Sequence, residues 1–259
     1  KPKVFLINNY ETYYKVKKSF IRKNTLIINK LEDKKNLKKS NITIAAIPGI
    51  AGLKPTIFLI KKSKRVLIAN KESIICGWNL IKQSAKINNT QLIPIDSEHF
   101  SIMKLLENHK TQDVKKIYLT ASGGPFLNYE ISKLATVKPT QAIKHPKWKM
   151  GKKISIDSAT LMNKMLEVIE ANKLFSIDLK NIEIVIHPES LVHAVVKFKN
   201  GLYKFIYHET TMAIPLANAI FDSKIDIDLY FKSKSKNNNS IFFEKLNFLK
   251  VEKKRFPII

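Results

Sequence analysis

Arg65-Val66-Leu67-Ile68-Ala69-Asn70-Lys71-Glu72-Ser73 is a strand turning directly into a helix. The apolar run is short and β-branched, as a buried strand requires, and Asn70 is a residue type that caps helices. The same unit recurs on either side. Ile42-Thr43-Ile44-Ala45-Ala46-Ile47 reads as a strand ended by Pro48-Gly49 and Gly52. Leu92-Ile93-Pro94-Ile95 is a third, followed by Asp96-Ser97-Glu98-His99 opening a helix. Lys116-Ile117-Tyr118-Leu119-Thr120 is a fourth, ended by Ser122-Gly123-Gly124-Pro125-Phe126. Strands alternating with helices predict an α/β fold with a mostly parallel sheet covered on both faces.

The pattern then changes. Ile154-Ser155-Ile156 leads into a long helix expected from about Ala159 to Leu174, and Ile182 to Ile186 is a buried strand. Ala194 to Phe198 and Leu202 to Ile206 flank Lys199-Asn200-Gly201, and Asn-Gly between such runs is a strong hairpin signal. The second half therefore reads as α+β. Lys232 to Ser240 is low in complexity and is expected to be a loop.

The chain has 259 residues, enough for one large or two modest domains, and 44% of them are hydrophobic. No apolar run approaches the roughly 18–20 residues that span a bilayer. Cys76 is the only cysteine, so no internal disulfide can form and a reducing cytoplasm is the expected setting. The net charge of +25 admits a nucleic-acid or membrane-surface binder. However, Arg22, Arg65 and Arg255 are the only arginines among 46 basic residues. Arginine is the side chain that grips phosphates and bases bidentately. Scattered lysines accompanied by Asn and Ile point instead to an A/T-rich coding bias, and neither partner is expected.

Four places could carry chemistry. Asp96 and Glu98 follow a strand at its carboxyl end and could chelate a cation together, though the local pattern favours helix capping. Ser122-Gly123-Gly124 offers backbone amides and a hydroxyl to a phosphate or sugar oxygen, or is an ordinary tight turn. On the helix after Ser158, Thr160, Asn163, Lys164 and Glu167 share one arc, with Leu161, Met165, Val168 and Ile169 opposite. That arc is either solvated or a face holding phosphate and metal together. His145-Pro146-Lys147-Trp148-Lys149-Met150-Gly151 is a lid or a loop anchored by Trp148. His187 and His193 read as structural. Neither a G-x-G-x-x-G nor a P-loop is present.

Taken in order, five motifs resemble the 1-deoxy-D-xylulose 5-phosphate reductoisomerase family. They are Leu67 to Ser73, Pro94 to His99, Ser122 to Phe126, His145 to Gly151, and Asp157-Ser158-Ala159-Thr160-Leu161-Met162-Asn163-Lys164. The resemblance runs from about Ala45 to Phe221. It implies a partial Rossmann-like NADPH-binding domain over residues 1–95, a catalytic domain over 96–221 and a linker region over 222–259. It implies Asp96, Glu98 and Glu167 as ligands of Mg²⁺ or Mn²⁺, an all-oxygen set suited to a hard ion. Ser122, Ser158, Asn163 and Lys164 would grip the substrate phosphate, and His145 would close over it. Lys71 and Ser97 would hold the oxygen-bearing end, with Lys71 and His145 counted among the catalytic groups. Asn70, Glu72 and Gly151 would touch the nicotinamide cofactor, Trp148 would cover the site and Met212 would line an apolar wall.

The implied activity is NADPH-dependent rearrangement and reduction to 2-C-methyl-D-erythritol 4-phosphate, by an enzyme that is typically a homodimer. Departures are visible. The family's opening Gly-rich turn and closing helical domain are expected to be missing from this stretch. Met165 stands where glycine is usual, and Thr210-Thr211 where Pro-Asp is usual. A non-catalytic remnant is the alternative these departures raise.

Overall fold

The computed structural model describes residues 2–19, 25–31, 39–143, 151–227, 229 and 246–256. Strands β1 (Val4–Leu6) and β2 (Leu26–Ile28) pair in parallel, with helix α1 (Tyr10–Ser19) between them. Next comes a three-stranded parallel sheet. Its strands β3 (Ser40–Ala45), β4 (Ser63–Ile68) and β5 (Gln91–Pro94) are joined by α2 (Leu53–Ile60) and α3 (Lys71–Asn88). Val66, Leu67 and Ile68 are fully buried or nearly so, which is why that run is apolar at consecutive positions rather than alternating.

The second half contains α4 (Ser97–Leu105), β6 (Val114–Ala121), α5 (Pro139–Ala142), α6 (Lys152–Ala159) and α7 (Met162–Phe175). After these come β7 (Ile182–Ile186), β8 (Val192–Phe198), β9 (Tyr203–Tyr207), α8 (Ala213–Phe221) and β10 (Leu249–Lys250). The five strands form one mixed sheet in the order β10-β7-β6-β8-β9. Only β6 and β7 run parallel within it. The expected hairpin is β8–β9, with Gly201 at φ +91 in its turn. Among the described residues, no helix is long and apolar enough to cross a membrane.

Three expectations need correction. The strand at Lys116–Thr120 joins the mixed sheet and not the parallel one, because its partners Ile182–Ile186 and Ala194–Phe198 lie far along the chain. The long helix is two helices. Leu161 takes a left-handed conformation, φ +62, and buries its side chain in the main core, so α6 ends before it and α7 starts after it. Thr160 thereby closes α6 and leaves the arc of Asn163, Lys164 and Glu167. Finally, residues 246–256 do not run as a linker. β10 pairs with β7, and Phe256 is 2% exposed within the main core. The stretch Lys232–Ser240 lies outside the described residues.

Asn70 explains how the first half presents its loops. Its side chain accepts from Ser73 N at 2.5 Å, capping α3, and donates to Gly49 O at 2.9 Å and also to Ile47 O. One amide thus ties the loop after β3 to the start of α3. Gly52 is required beside it, since a Cβ there would lie 2.4 Å from Ile47 O and 2.7 Å from the Asn70 amide.

Candidate metal and phosphate site

Strand β5 ends at Pro94, and Asp96 stands at the N-cap of α4. Its two oxygens divide the work. Oδ1 accepts from Ser97 N at 3.1 Å, and Oδ2 lies 2.7 Å from Lys71 Nζ. Capping and site-building are therefore both true of this residue. Glu98, in the first turn, accepts from Ser97 Oγ at 2.7 Å and from Lys164 Nζ at 2.5 Å. Glu167, 1% exposed on α7, meets Lys71 at 2.9 Å, Lys164 at 2.6 Å and the Asn163 amide at 2.5 Å. The polar face of α7 thus points into the protein, which a solvated face would not do.

Ligand oxygens of Asp96, Glu98 and Glu167 lie within 4.8 Å of one another. Three carboxylates that close repel unless positive charge sits among them. Here Lys71 and Lys164 supply it. Burial opposes the Lys71 ammonium, but Asp96, Glu167 and Glu170 outweigh it and hold its pKa well above the usual value. Lys164 behaves likewise, with burial overcome by Glu167 and Glu98. Burial and Glu167 push Glu98 upward, yet the charge and hydrogen bond of Lys164 bring it below its ordinary value. Burial also pushes Glu167 up, and Lys164 and Lys71 bring it below.

Three acids against two ammonium groups leave the cluster negative. Asp96 Oδ2 and Glu167 Oε2 are buried with ion-pair contacts but no aligned hydrogen bond. An all-oxygen set with residual negative charge and two unaligned buried oxygens fits a hard divalent cation.

The cluster opens on a cavity of about 260 Å³. Its walls include Ser97, Ser122, Ser158, Asn163 and Lys164, all expected at the substrate, together with Met212, expected on an apolar wall. Ser122 Oγ accepts from Gly124 N at 3.2 Å, shaping the turn. The other expected residues are placed differently. Asn70 is 2% exposed, with its amide nitrogen on Ile47 O and Gly49 O and its oxygen on Ser73 N. Glu72 faces α6 through Lys153, at 3.5 Å, and Gly151 caps the same helix; neither lines the cavity. His145 and Trp148 lie outside the described residues.

Residues of no expected role also belong here. His193 lines the cavity, stacked on His208 at 4.0 Å. Burial, aided by His208, lowers its pKa to about 3, so it is neutral. Behind the carboxylates, His99 is fully buried. Its Nε2 donates to the Glu167 carbonyl at 2.9 Å, and Nδ1 lies 3.3 Å from Glu170 Oε2. The Glu-x-x-Glu spacing of 167 and 170 was the available signal for this pair.

Burial lifts Glu170 from 4.5 to about 7, with His99 opposing and Asp96 adding to the rise. A raised acid stabilises the fold fully below its unfolded pKa and loses that contribution as pH climbs through the folded value. Glu170→Gln, uncharged throughout, is therefore expected to gain on the native chain above pH 7. Thermal unfolding of chelator-treated protein at pH 5 and pH 8.5 checks this. A variant-minus-native difference that does not grow with pH contradicts it.

Comparison with known proteins gives a consistent picture. A family model described as 1-deoxy-D-xylulose 5-phosphate reductoisomerase matches residues 1–77. The model of that family's C-terminal domain matches 92–175. The reductoisomerase of Pelagibacter ubique (strain HTCC1062) is 50% identical over 232 residues, covering 90% of this chain and 58% of that protein. That of Clostridium tetani (strain Massachusetts / E88) is 39% identical over 260 residues, covering 98% and 64%. A crystal structure of DOX-P reductoisomerase in complex with NADPH, fosmidomycin and magnesium aligns with a TM-score of 0.83 at 33% identity. That alignment covers 99% of this chain and 65% of the other. This chain spans about three-fifths of the length of its curated relatives.

Proposed function

Because the chain belongs to the 1-deoxy-D-xylulose 5-phosphate reductoisomerase family, we propose that it is the metal- and substrate-binding part of an enzyme of that activity. The reaction would convert 1-deoxy-D-xylulose 5-phosphate to 2-C-methyl-D-erythritol 4-phosphate with NADPH. One observation carries the reading: Asp96, Glu98 and Glu167 converge within 4.8 Å beside a cavity lined by Ser122, Ser158, Asn163 and Lys164.

In this reading the three carboxylates hold Mg²⁺ or Mn²⁺. When bound, the ion supplies Lewis-acid polarisation of the substrate's oxygens, and NADPH supplies the hydride. The protein's own groups bind and orient. Ser122, Ser158, Asn163 and Lys164 take the phosphate, which anchors the substrate remote from its reacting carbons. Lys71 and Ser97 face the oxygen-bearing end, where an ammonium held charged by Asp96 and Glu167 favours a developing negative charge. His145 and Trp148 would exclude water from above, and Glu72, Gly151 and the loop fixed by Asn70 would meet the cofactor. Residues 1–95 then serve as the NADPH-side domain and 96–221 as the catalytic domain.

The departures from the family pattern are compatible with this. Met165 packs against the main core and does not line the cavity. Thr211 Oγ1 accepts from Ala213 N at 3.2 Å, steadying the start of α8. A cytoplasmic setting suits the single, exposed thiol of Cys76. A homodimer suits β9, which ends its sheet among the described residues and leaves Tyr203 and Phe205 about half exposed.

Direct measurement tests the proposal. Mn²⁺ titration should reveal binding by the chain, and 1-deoxy-D-xylulose 5-phosphate should then start NADPH oxidation. Binding without turnover identifies a non-catalytic remnant. Failure to bind Mn²⁺ removes the site.

A further inference from the structure

We propose that Arg255 is a positioning residue for the Ser122–Tyr129 turn, holding the anion-binding end of the cavity in shape from outside it. This rests on the reading above that the turn receives phosphate. The turn is irregular, with Gly123 at φ +85 and Gly124 at φ +69, so its carbonyls have no strand or helix partners. Phe126 O accepts from Tyr129 N at 3.1 Å, and a carbonyl oxygen can take a second donor. Arg255 Nη1 donates to Phe126 O at 3.0 Å and also to Tyr129 O. A single guanidinium thus holds the second half of the turn.

The residue type matters. Where only three of 46 basic residues are arginine, an arginine marks a place lysine does not serve. Arg65, the other arginine described, also meets two acceptors at once, Asp222 through Nη1 and the Ile220 carbonyl through Nη2. A planar fork holds two acceptors in fixed geometry, which a flexible ammonium does not.

Arg255 is itself anchored. Phe256 is buried in the main core, and β10 pairs with the end of β7. Asn247 bridges the next cavity loop, accepting from His187 Nδ1 at 2.7 Å through its carbonyl and donating to Glu189. His187 Nε2 accepts from Leu191 N at 3.2 Å, so one ring nitrogen serves the loop and the other the 246–256 segment. Phe248 stacks on the His187 ring at 4.8 Å. Residues 246–256 therefore bind two loops that reach the cavity, through Ser122 on one and Ser190 on the other. On its far side the Ser122 turn rests on α6, where Gly124 lies against Ser158 O and Ala159 Cα. The buried Phe126 ring and the Tyr129 N to Phe126 O bond hold the turn's second half as well, so losing Arg255 would loosen the turn without unfolding it.

Arg255→Ala and Arg255→Lys, compared in the 259-residue chain, test this. Amide hydrogen exchange across 122–129 without ligand should quicken about tenfold in the alanine variant, the scale of a lost charged hydrogen bond. Exchange in α3 should hold steady. Affinity for inorganic phosphate should fall about tenfold, with lysine recovering part of it. Unchanged exchange in 122–129, or quickening spread equally over β6, β7 and α3, overturns the proposal. Ser122→Ala is measured alongside. If it leaves phosphate affinity untouched while Arg255→Ala still loosens the turn, the phosphate reading fails and the positioning role stands.

Discussion

Glu167→Gln should weaken Mn²⁺ binding by about a hundredfold or more and remove turnover, because even partners behind the ligands typically matter by about 10–100-fold. The amide keeps the size of the side chain and one acceptor oxygen, so Asn163 and one lysine retain a contact. What disappears is a full negative charge, 1% exposed, between Lys71 at 2.9 Å and Lys164 at 2.6 Å. Asp96 and Glu98 are then matched one to one by the two ammonium groups, and the cluster has no surplus charge for a cation. A second readout needs no substrate. A ligand that binds only the folded state at a hundred times its Kd stabilises it by about 2.7 kcal/mol. Mn²⁺ should therefore raise the native melting temperature and leave that of Glu167→Gln unmoved. Equal shifts in the two proteins would mean the ion sits elsewhere.

Gly124→Ala is expected to destabilise the chain by about 3 kcal/mol and to weaken phosphate binding at least tenfold. The estimate joins roughly 1–2 kcal/mol for a left-handed conformation with a similar strain from forced repacking. Gly124 has φ +69, and a Cβ there would stand 3.0 Å from Ser158 O and 3.1 Å from Ala159 Cα. Both are backbone atoms and cannot swing aside. Relief requires the turn to part from α6, separating Ser122 from Ser158. Gly201→Ala is the control, since its φ is +91 but nothing lies within 4 Å. It should cost only the conformational part and leave phosphate affinity alone. Denaturant titration and phosphate competition distinguish the two, and equal behaviour would dismiss the close contact as irrelevant.

Much of this was legible in the residues before any coordinates. Ile182–Ile186 is a strand with those bounds, and Asn200-Gly201 turns a hairpin, because apolar period and turn chemistry are local properties. The convergence of Asp96, Glu98 and Glu167 came from the order of motifs and not from any one of them. What stayed hidden depends on distant partners. Nothing in Thr160-Leu161-Met162 signals a break, since no glycine or proline stands there; the core draws Leu161 inward at the expense of its backbone. The membership of β6 in the mixed sheet is decided by β7 and β8. Arg255 and Phe256 lie past a low-complexity run and look like a tail, yet they clasp loops more than a hundred residues upstream. His99 and Glu170 leave only the spacing of Glu170 from Glu167 as a trace in the sequence, and their shared burial behind Glu167 is what pairs them.

The divided carboxylate of Asp96 has a kinetic side. With one oxygen anchored by the amide of Ser97, the group has already given up its free rotation when an ion arrives. Binding a cation there would demand little rearrangement of that group. Glu98 is tied in the same turn by Ser97 and Lys164, so both acids at this helix start would offer a cation arms that are already set.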